Sequence, residues 1–185
     1  MMIISDTLVK PASDTLVMPQ TQSVARQGRG RLSRGRLGRA QLGRIVAATA
    51  AQSGQWRDLV RYDPAHRWYF RMELTDEYEV WLLSWLPGQG TGFHDHGGSR
   101  GAFSVALGEL QEQSVPGTRA VVTRTVTASQ SRAFGARFVH HVVNNSTLPA
   151  VSVHAYSPPL PEMRRYEMTD GGLRYVSTEP AEVTP

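Results

Sequence analysis

The chain has 185 residues and no cysteine, which excludes disulfides, thiolate metal ligands and a cysteine nucleophile. No apolar run approaches the roughly 20 residues needed to cross a bilayer, and no basic stretch followed by a long apolar one opens the chain, so neither a membrane partner nor a secretory leader is expected. The net charge of +4 is local: seven arginines and no acid lie between Arg26 and Arg44, so the rest of the chain is acidic.

Residues 1–39 read as a disordered, low-complexity basic extension. Ser-Asp-Thr-Leu-Val occurs at 5–9 and again at 13–17, too short a repeat to build a structural unit. From 26 to 39 arginine alternates with glycine, serine and leucine, and the glycines oppose a helix. Such a tail suits a nucleic acid or anionic surface, or is a bare extension. It has no interleaved aromatics to stack on bases, so a nucleic-acid partner is not expected.

Residues 40–185 are expected to form one domain, with a barrel core at about 66–160. Leu42, Ile45, Val46 and Ala50 recur at helical spacing, which predicts a helix over 40–53. A second short helix is predicted over 55–60, with Trp56 and Leu59 to pack, before the Asp63-Pro64 turn. Strands are predicted at 68–74, 79–86, 91–96, 102–107, 109–114, 119–127, 138–143 and 150–156, separated by Gly, Pro and Asn turn signals. The tail from Leu160 is expected to be mostly irregular, with a short strand near 173–176. Strands without intervening helices imply an all-β barrel or sandwich.

The chemistry gathers after the Gly-rich turn Pro87-Gly88-Gln89-Gly90. On a strand, His94 and His96 share one face, and paired neutral imidazoles are good ligands for a transition metal. An exposed polar strand end is the competing reading. His140 and His141 face opposite ways, so only one can join such a site. Ser152, His154 and Tyr156 share a face between apolar neighbours, where buried polar groups need partners. Tyr69 and Arg71 also share a face, and an inward arginine needs an anion.

The spacing Gly88, His94-Asp95-His96, Gly101, Gly108 follows the first cupin motif, with Gly101 in place of the usual glutamate ligand. His140 followed by Asn144 resembles the end of the second, without its upstream proline and glycine. The ordered set Tyr69-x-Arg71, His94-x-His96, His140 and Ser152-x-His154-x-Tyr156-Ser157-Pro158-Pro159 resembles the cysteine dioxygenase family, the thiol dioxygenase branch of the cupins. The resemblance covers roughly residues 55–165. It implies a jelly-roll-like cupin barrel in which His94, His96 and His140 hold one Fe(II), and it selects His140 over His141.

It further implies oxidation of L-cysteine by O2 to cysteine sulfinic acid. Arg71, helped by Tyr69, would take the substrate carboxylate. Tyr156 would place its hydroxyl near sulfur and oxygen, oriented by His154 with Ser152 behind it. Animal relatives cross-link a cysteine to this tyrosine; Gly101 stands at that cysteine's position, so Tyr156 must act as a free phenol. Three neutral ligands leave a full +2 charge at the metal, which favours a thiolate. Relatives that oxidise 3-mercaptopropionate generally carry glutamine at the arginine position, so Arg71 favours cysteine over that or another small thiol. A non-catalytic, ligand-binding cupin with a nucleic-acid-contacting tail is the alternative of another class. A cytoplasmic monomer is expected.

Overall fold

The computed structural model describes residues 35–116 and 120–180. Most of the basic extension expected over 1–39 therefore lies outside the described residues, as does residue 119 of the strand expected at 119–127. Of the extension's last residues, Leu37 donates its N–H to Ser157 Oγ at 2.8 Å. Helix α1 (Arg39–Ala51) buries Leu42, Val46 and Ala50 as one stripe. In place of the predicted second helix there are two 3₁₀ turns, Ser53–Gln55 and Arg57–Leu59. Trp56 sits between them, buried, and its indole N–H donates to the Ala50 carbonyl at 3.1 Å, closing the helix end.

Eleven strands follow: β1 (Tyr69–Leu74), β2 (Glu79–Trp85), β3 (Phe93–Asp95), β4 (Arg100–Leu107), β5 (Glu109–Ser114), β6 (Val122–Thr127), β7 (Ser131–Phe134), β8 (His140–Val143), β9 (Ala150–Ser157), β10 (Glu162–Thr169) and β11 (Gly172–Pro180). They form two antiparallel sheets, ordered β1-β2-β9-β4-β7 and β11-β10-β3-β8-β5-β6. The sheets share one core, with Trp81, Leu83, Trp85, Phe103 and Tyr156 from the first and Leu110, Val126, Val142 and Met163 from the second. This is the expected all-β, jelly-roll-like barrel.

Strands β2, β4 and β9 are buried on both faces. Their outward row, Val80, Leu82, Ala102, Val151, Val153 and Ala155, packs beneath α1. That is why these strands are almost continuously apolar. The inward row of β9 carries Ser152, His154 and Tyr156, which face Leu83, Trp81 and the buried Glu79 of β2 across the pairing.

The tail corrects the sequence expectation. Instead of irregular chain it forms the hairpin β10–β11, turning at Gly172 with φ +104, a conformation that suits glycine. Glu162–Thr169 reads Glu-Met-Arg-Arg-Tyr-Glu-Met-Thr, with no alternation to betray a strand. Pairing to β3 holds it, with Arg165 opposite His94. So does the Arg165–Glu179 ion pair at 2.8 Å, and the Tyr166 ring stands edge-on to Tyr175. Strand β7 is a second addition to the expected elements; four residues after a tight turn leave too short a pattern to read. It pairs with β4, setting Phe134 opposite Gly101. Among the described residues no helix is long and apolar enough to cross a membrane.

Candidate functional site

The Gly-rich turn is laid along β8 by backbone hydrogen bonds. Gly88 N–H donates to the Asn144 carbonyl at 2.8 Å, Asn144 N–H to Gln89 at 2.9 Å and Thr91 N–H to Val142 at 2.9 Å. Gly90 passes so close that a Cβ there would lie 2.7 Å from the His141 ring. The chain then enters β3 with His94 opposite His140. His96 lies just beyond the end of β3.

His94, His96 and His140 are each buried, and one ring nitrogen from each lies within 4.8 Å of the others. His141 points away from them, with Nδ1 3.5 Å from Thr91 Oγ1 and its ring against Phe93. His66 is exposed on the loop after Asp63.

Hydrogen bonds orient two of the three rings. His94 Nδ1 lies 3.0 Å from the Gly92 carbonyl, which can only accept, so Nδ1 carries the proton and Nε2 keeps its lone pair. His140 Nδ1 lies 2.9 Å from Glu112 Oε1, with the same consequence. Burial pushes the Glu112 carboxyl up, but hydrogen bonds from His140 and Arg132, with the Arg132 charge, outweigh it and hold the group below the usual range. Glu112 is therefore a carboxylate, gripped from its other side by Arg132 Nε at 2.7 Å.

Both ring nitrogens of His96 are buried without a hydrogen-bond partner among the described residues. Leaving such a group unsatisfied costs about 1–3 kcal/mol. A metal ion bound by one of these nitrogens would relieve part of that cost. Burial first, then neighbouring His140, holds His94 and His96 well below the ordinary imidazole range. Both are neutral near pH 7, the state a metal needs. The residues therefore fit a nitrogen-liganded transition metal.

His96 is sandwiched between Phe134, with ring centroids 4.8 Å apart, and Tyr156, at 5.0 Å. Gly101 leaves the space for this. A Cβ there would lie 2.3 Å from Phe134 Cε2 and 3.0 Å from Tyr156 Cδ1. The volume in which a glutamate ligand or a cysteine would begin is filled by a phenyl ring from β7.

The polar row of β9 forms one hydrogen-bonded chain. Trp85 Nε1–H donates to Ser152 Oγ at 2.9 Å, Ser152 Oγ lies 2.8 Å from His154 Nε2, and His154 Nδ1 lies 3.3 Å from the Tyr156 hydroxyl. The chain can run in either of two directions, each leaving one hydroxyl proton over. In one of them Ser152 donates to Nε2 and the neutral His154 donates from Nδ1 to the Tyr156 oxygen. The Tyr156 O–H is then left to donate elsewhere. Burial, reinforced by Glu79, pushes its pKa up, and it stays a phenol.

Arg71 lies nearer the surface. Its side chain is 42% exposed, 3.7 Å from the Glu79 carboxylate and stacked on Trp81 at 5.2 Å. Tyr69 packs on the same tryptophan from the barrel side. Sequence reasoning passes over Glu112, Phe134, Trp85, Arg165 and Arg67. Of these, only Arg67 has a readable signal, standing at the i−2 and i−4 positions of the Tyr69/Arg71 row.

Residues 31–169 match the family model described as cysteine dioxygenase type I. Among curated proteins the chain is similar to cysteine dioxygenase type 1 of Danio rerio, 27% identical over 133 residues, spanning about 63% of that relative's length and 63% of this chain. Among solved structures it resembles a protein of Thermus thermophilus, with a TM-score of 0.50 and 22% identity over 56% of this chain and 93% of that one. A Klebsiella pneumoniae protein with a double-stranded β-helix domain gives 0.50 and 17%, over 65% and 93%. At these identities the two structures speak for the cupin-type fold alone. The family match spans most of the barrel, including all three clustered histidines and the Ser-His-Tyr chain, and by it the chain belongs to the cysteine dioxygenase type I family.

Proposed function

We propose that the protein is an iron-dependent thiol dioxygenase that oxidises L-cysteine to cysteine sulfinic acid in the cytoplasm. The observation that carries this reading is the convergence of two sets on one ring: His96, a member of the buried histidine cluster, stacks on Tyr156, the end of the Trp85–Ser152–His154 hydrogen-bond chain. A simple metal binder has no use for the second set.

His94, His96 and His140 would hold the metal. Fe(II) bound there would supply the redox chemistry that joins dioxygen to sulfur. The reaction balances without another reductant: RSH + O2 gives RSO2H, with both oxygen atoms on sulfur. Three neutral imidazoles, with no carboxylate ligand at Gly101, would leave the metal's full positive charge to attract a thiolate. With His154 donating to its oxygen, Tyr156 would offer its own O–H to developing negative charge on sulfur or oxygen. Ser152, by donating to His154, would set the tautomer this needs. The apolar rings of Phe134, Phe103 and Phe138 shield His140 from water.

The test is oxygen consumption by the protein reconstituted anaerobically with Fe(II), assayed with L-cysteine and 3-mercaptopropionate. Consumption of one O2 per cysteine, with cysteine preferred, supports the reading. A preference for 3-mercaptopropionate would sink the cysteine assignment, and no turnover of either thiol would sink the dioxygenase.

A further inference from the structure

We propose that the arginine-walled groove between α1 and β7 binds a diphosphate group, at a site separate from the histidine cluster. The proposal does not depend on the thiol dioxygenase reading.

The groove exists because its floor is made of small residues. Ala40, Gly43 and Ala47 line it from the helix and Ala133 from β7, leaving a shallow hollow of about 660 Å3. A Cβ at Gly43 would meet nothing within 4 Å, so the floor is open there. Small-molecule sites usually span about 300–1,000 Å3. Ser131 and Arg132 also line an adjoining hollow of about 420 Å3, which Arg124 borders from β6.

The charge around this space is one-sided. Arg39 and Arg44 of α1 wall the first hollow together with Arg132. No acidic side chain lines either hollow, and the sequences of α1, β6 and β7 contain none. Arg39, Arg44 and Arg124 are exposed and have no ion pair among the described residues. Glu112 stands opposite Arg124 across β5–β6, but its carboxylate is already committed. It is buried, held by His140 on one oxygen and by Arg132 Nε on the other. The terminal nitrogens of Arg132 make no hydrogen bond among the described residues.

Guanidiniums gathered without a counter-charge favour an anion, and their planar forks match phosphate oxygens two at a time. A carboxylate would answer one of these cations; a diphosphate offers two charged groups to the helix arginines and Arg132 together. No aromatic side chain lines either hollow to stack a base, so the diphosphate, not an attached nucleoside, is what the groove reads.

The test is calorimetry at physiological salt with inorganic pyrophosphate and with ADP. It uses the full-length protein before iron loading, so that pyrophosphate has no iron to sequester. Both ligands should bind, within about threefold of each other. The double variant Arg39→Gln, Arg44→Gln should weaken pyrophosphate by about tenfold or more, and Arg124→Gln by less. Arg44→Lys keeps the charge without the fork and should fall between the wild type and the double variant. Arg57→Gln, past the other end of the helix, should change nothing. Arg132 is left in place because it also holds Glu112. The altered arginines hold no partner among the described residues, so the variants should melt and bind Fe(II) as the wild type does, which separates lost binding from lost fold. The proposal is overturned if pyrophosphate does not bind, if only ADP binds, or if the double variant binds pyrophosphate as tightly as the wild type. In the last case the anion sits on basic residues outside the groove.

Discussion

Replacing Glu112 by glutamine should loosen the metal without unfolding the barrel. The Glu112 carboxylate and His140 are both nearly inaccessible, at 3% and 2% exposure, and joined at 2.9 Å. A hydrogen bond to a charged group contributes about 1.5–3 kcal/mol, and glutamine keeps an acceptor but loses the charge. That loss corresponds to roughly 10- to 100-fold in Fe(II) affinity, the range expected for carboxylate partners of metal-binding histidines. The fold should lose less. Arg132, the other partner, is 29% exposed, so water can solvate its guanidinium once the carboxylate is gone. Anaerobic competition against a chelator measures the affinity, and thermal melting of the metal-free protein measures the fold. An affinity within about twofold of the wild type would refute the argument that Glu112 sets the His140 tautomer and strengthens it as a donor.

His140→Ala should abolish stoichiometric iron binding and His141→Ala should retain most of it; metal analysis giving the reverse would overturn the ligand set. Tyr156→Phe should keep its iron and lose about 100-fold in kcat, and Ser152→Ala less, because it acts only through His154; an unchanged kcat in Tyr156→Phe removes the donor role. Gly101→Ala must displace Phe134 or Tyr156 and should cost about 1–3 kcal/mol of stability, partly recovered by Phe134→Leu, as read by denaturant unfolding. The metal-free protein should be acid-labile. His94, His96 and His154 have folded pKa values held below the unfolded one, so their contribution is complete above about pH 6.5 and is lost as pH falls below it. The slope is at most about 1.4 kcal/mol per pH unit for each histidine, and a flat profile from pH 7 to 5 would contradict the neutral, buried assignment.

What the sequence made legible follows from periodicity. Ser152, His154 and Tyr156 stood out because three polar groups at period two interrupt an apolar strand, and in the barrel they form one chain of hydrogen bonds. The strands β2, β4 and β9 were readable for the same reason: they bury both faces. Strand β10 was not, since Arg164, Arg165 and Glu167 follow no alternation and owe their extended form to pairing with β3 and β11. Glu112 looked like any charged residue on a surface strand. Only the β5–β8 register, which sets it opposite Val142, brings its carboxylate to His140. Phe134 was hidden likewise, because its contact with Gly101 is made across strands 33 positions apart in the chain.

The most direct measurement is the fate of oxygen. The Fe(II)-reconstituted protein is supplied with L-cysteine and isotopically labelled dioxygen, and the product is weighed by mass spectrometry. Cysteine sulfinic acid carrying both labelled atoms is the expected result. Disulfide formation alone, or a product with a single labelled oxygen, would contradict a dioxygenase built on His94, His96 and His140.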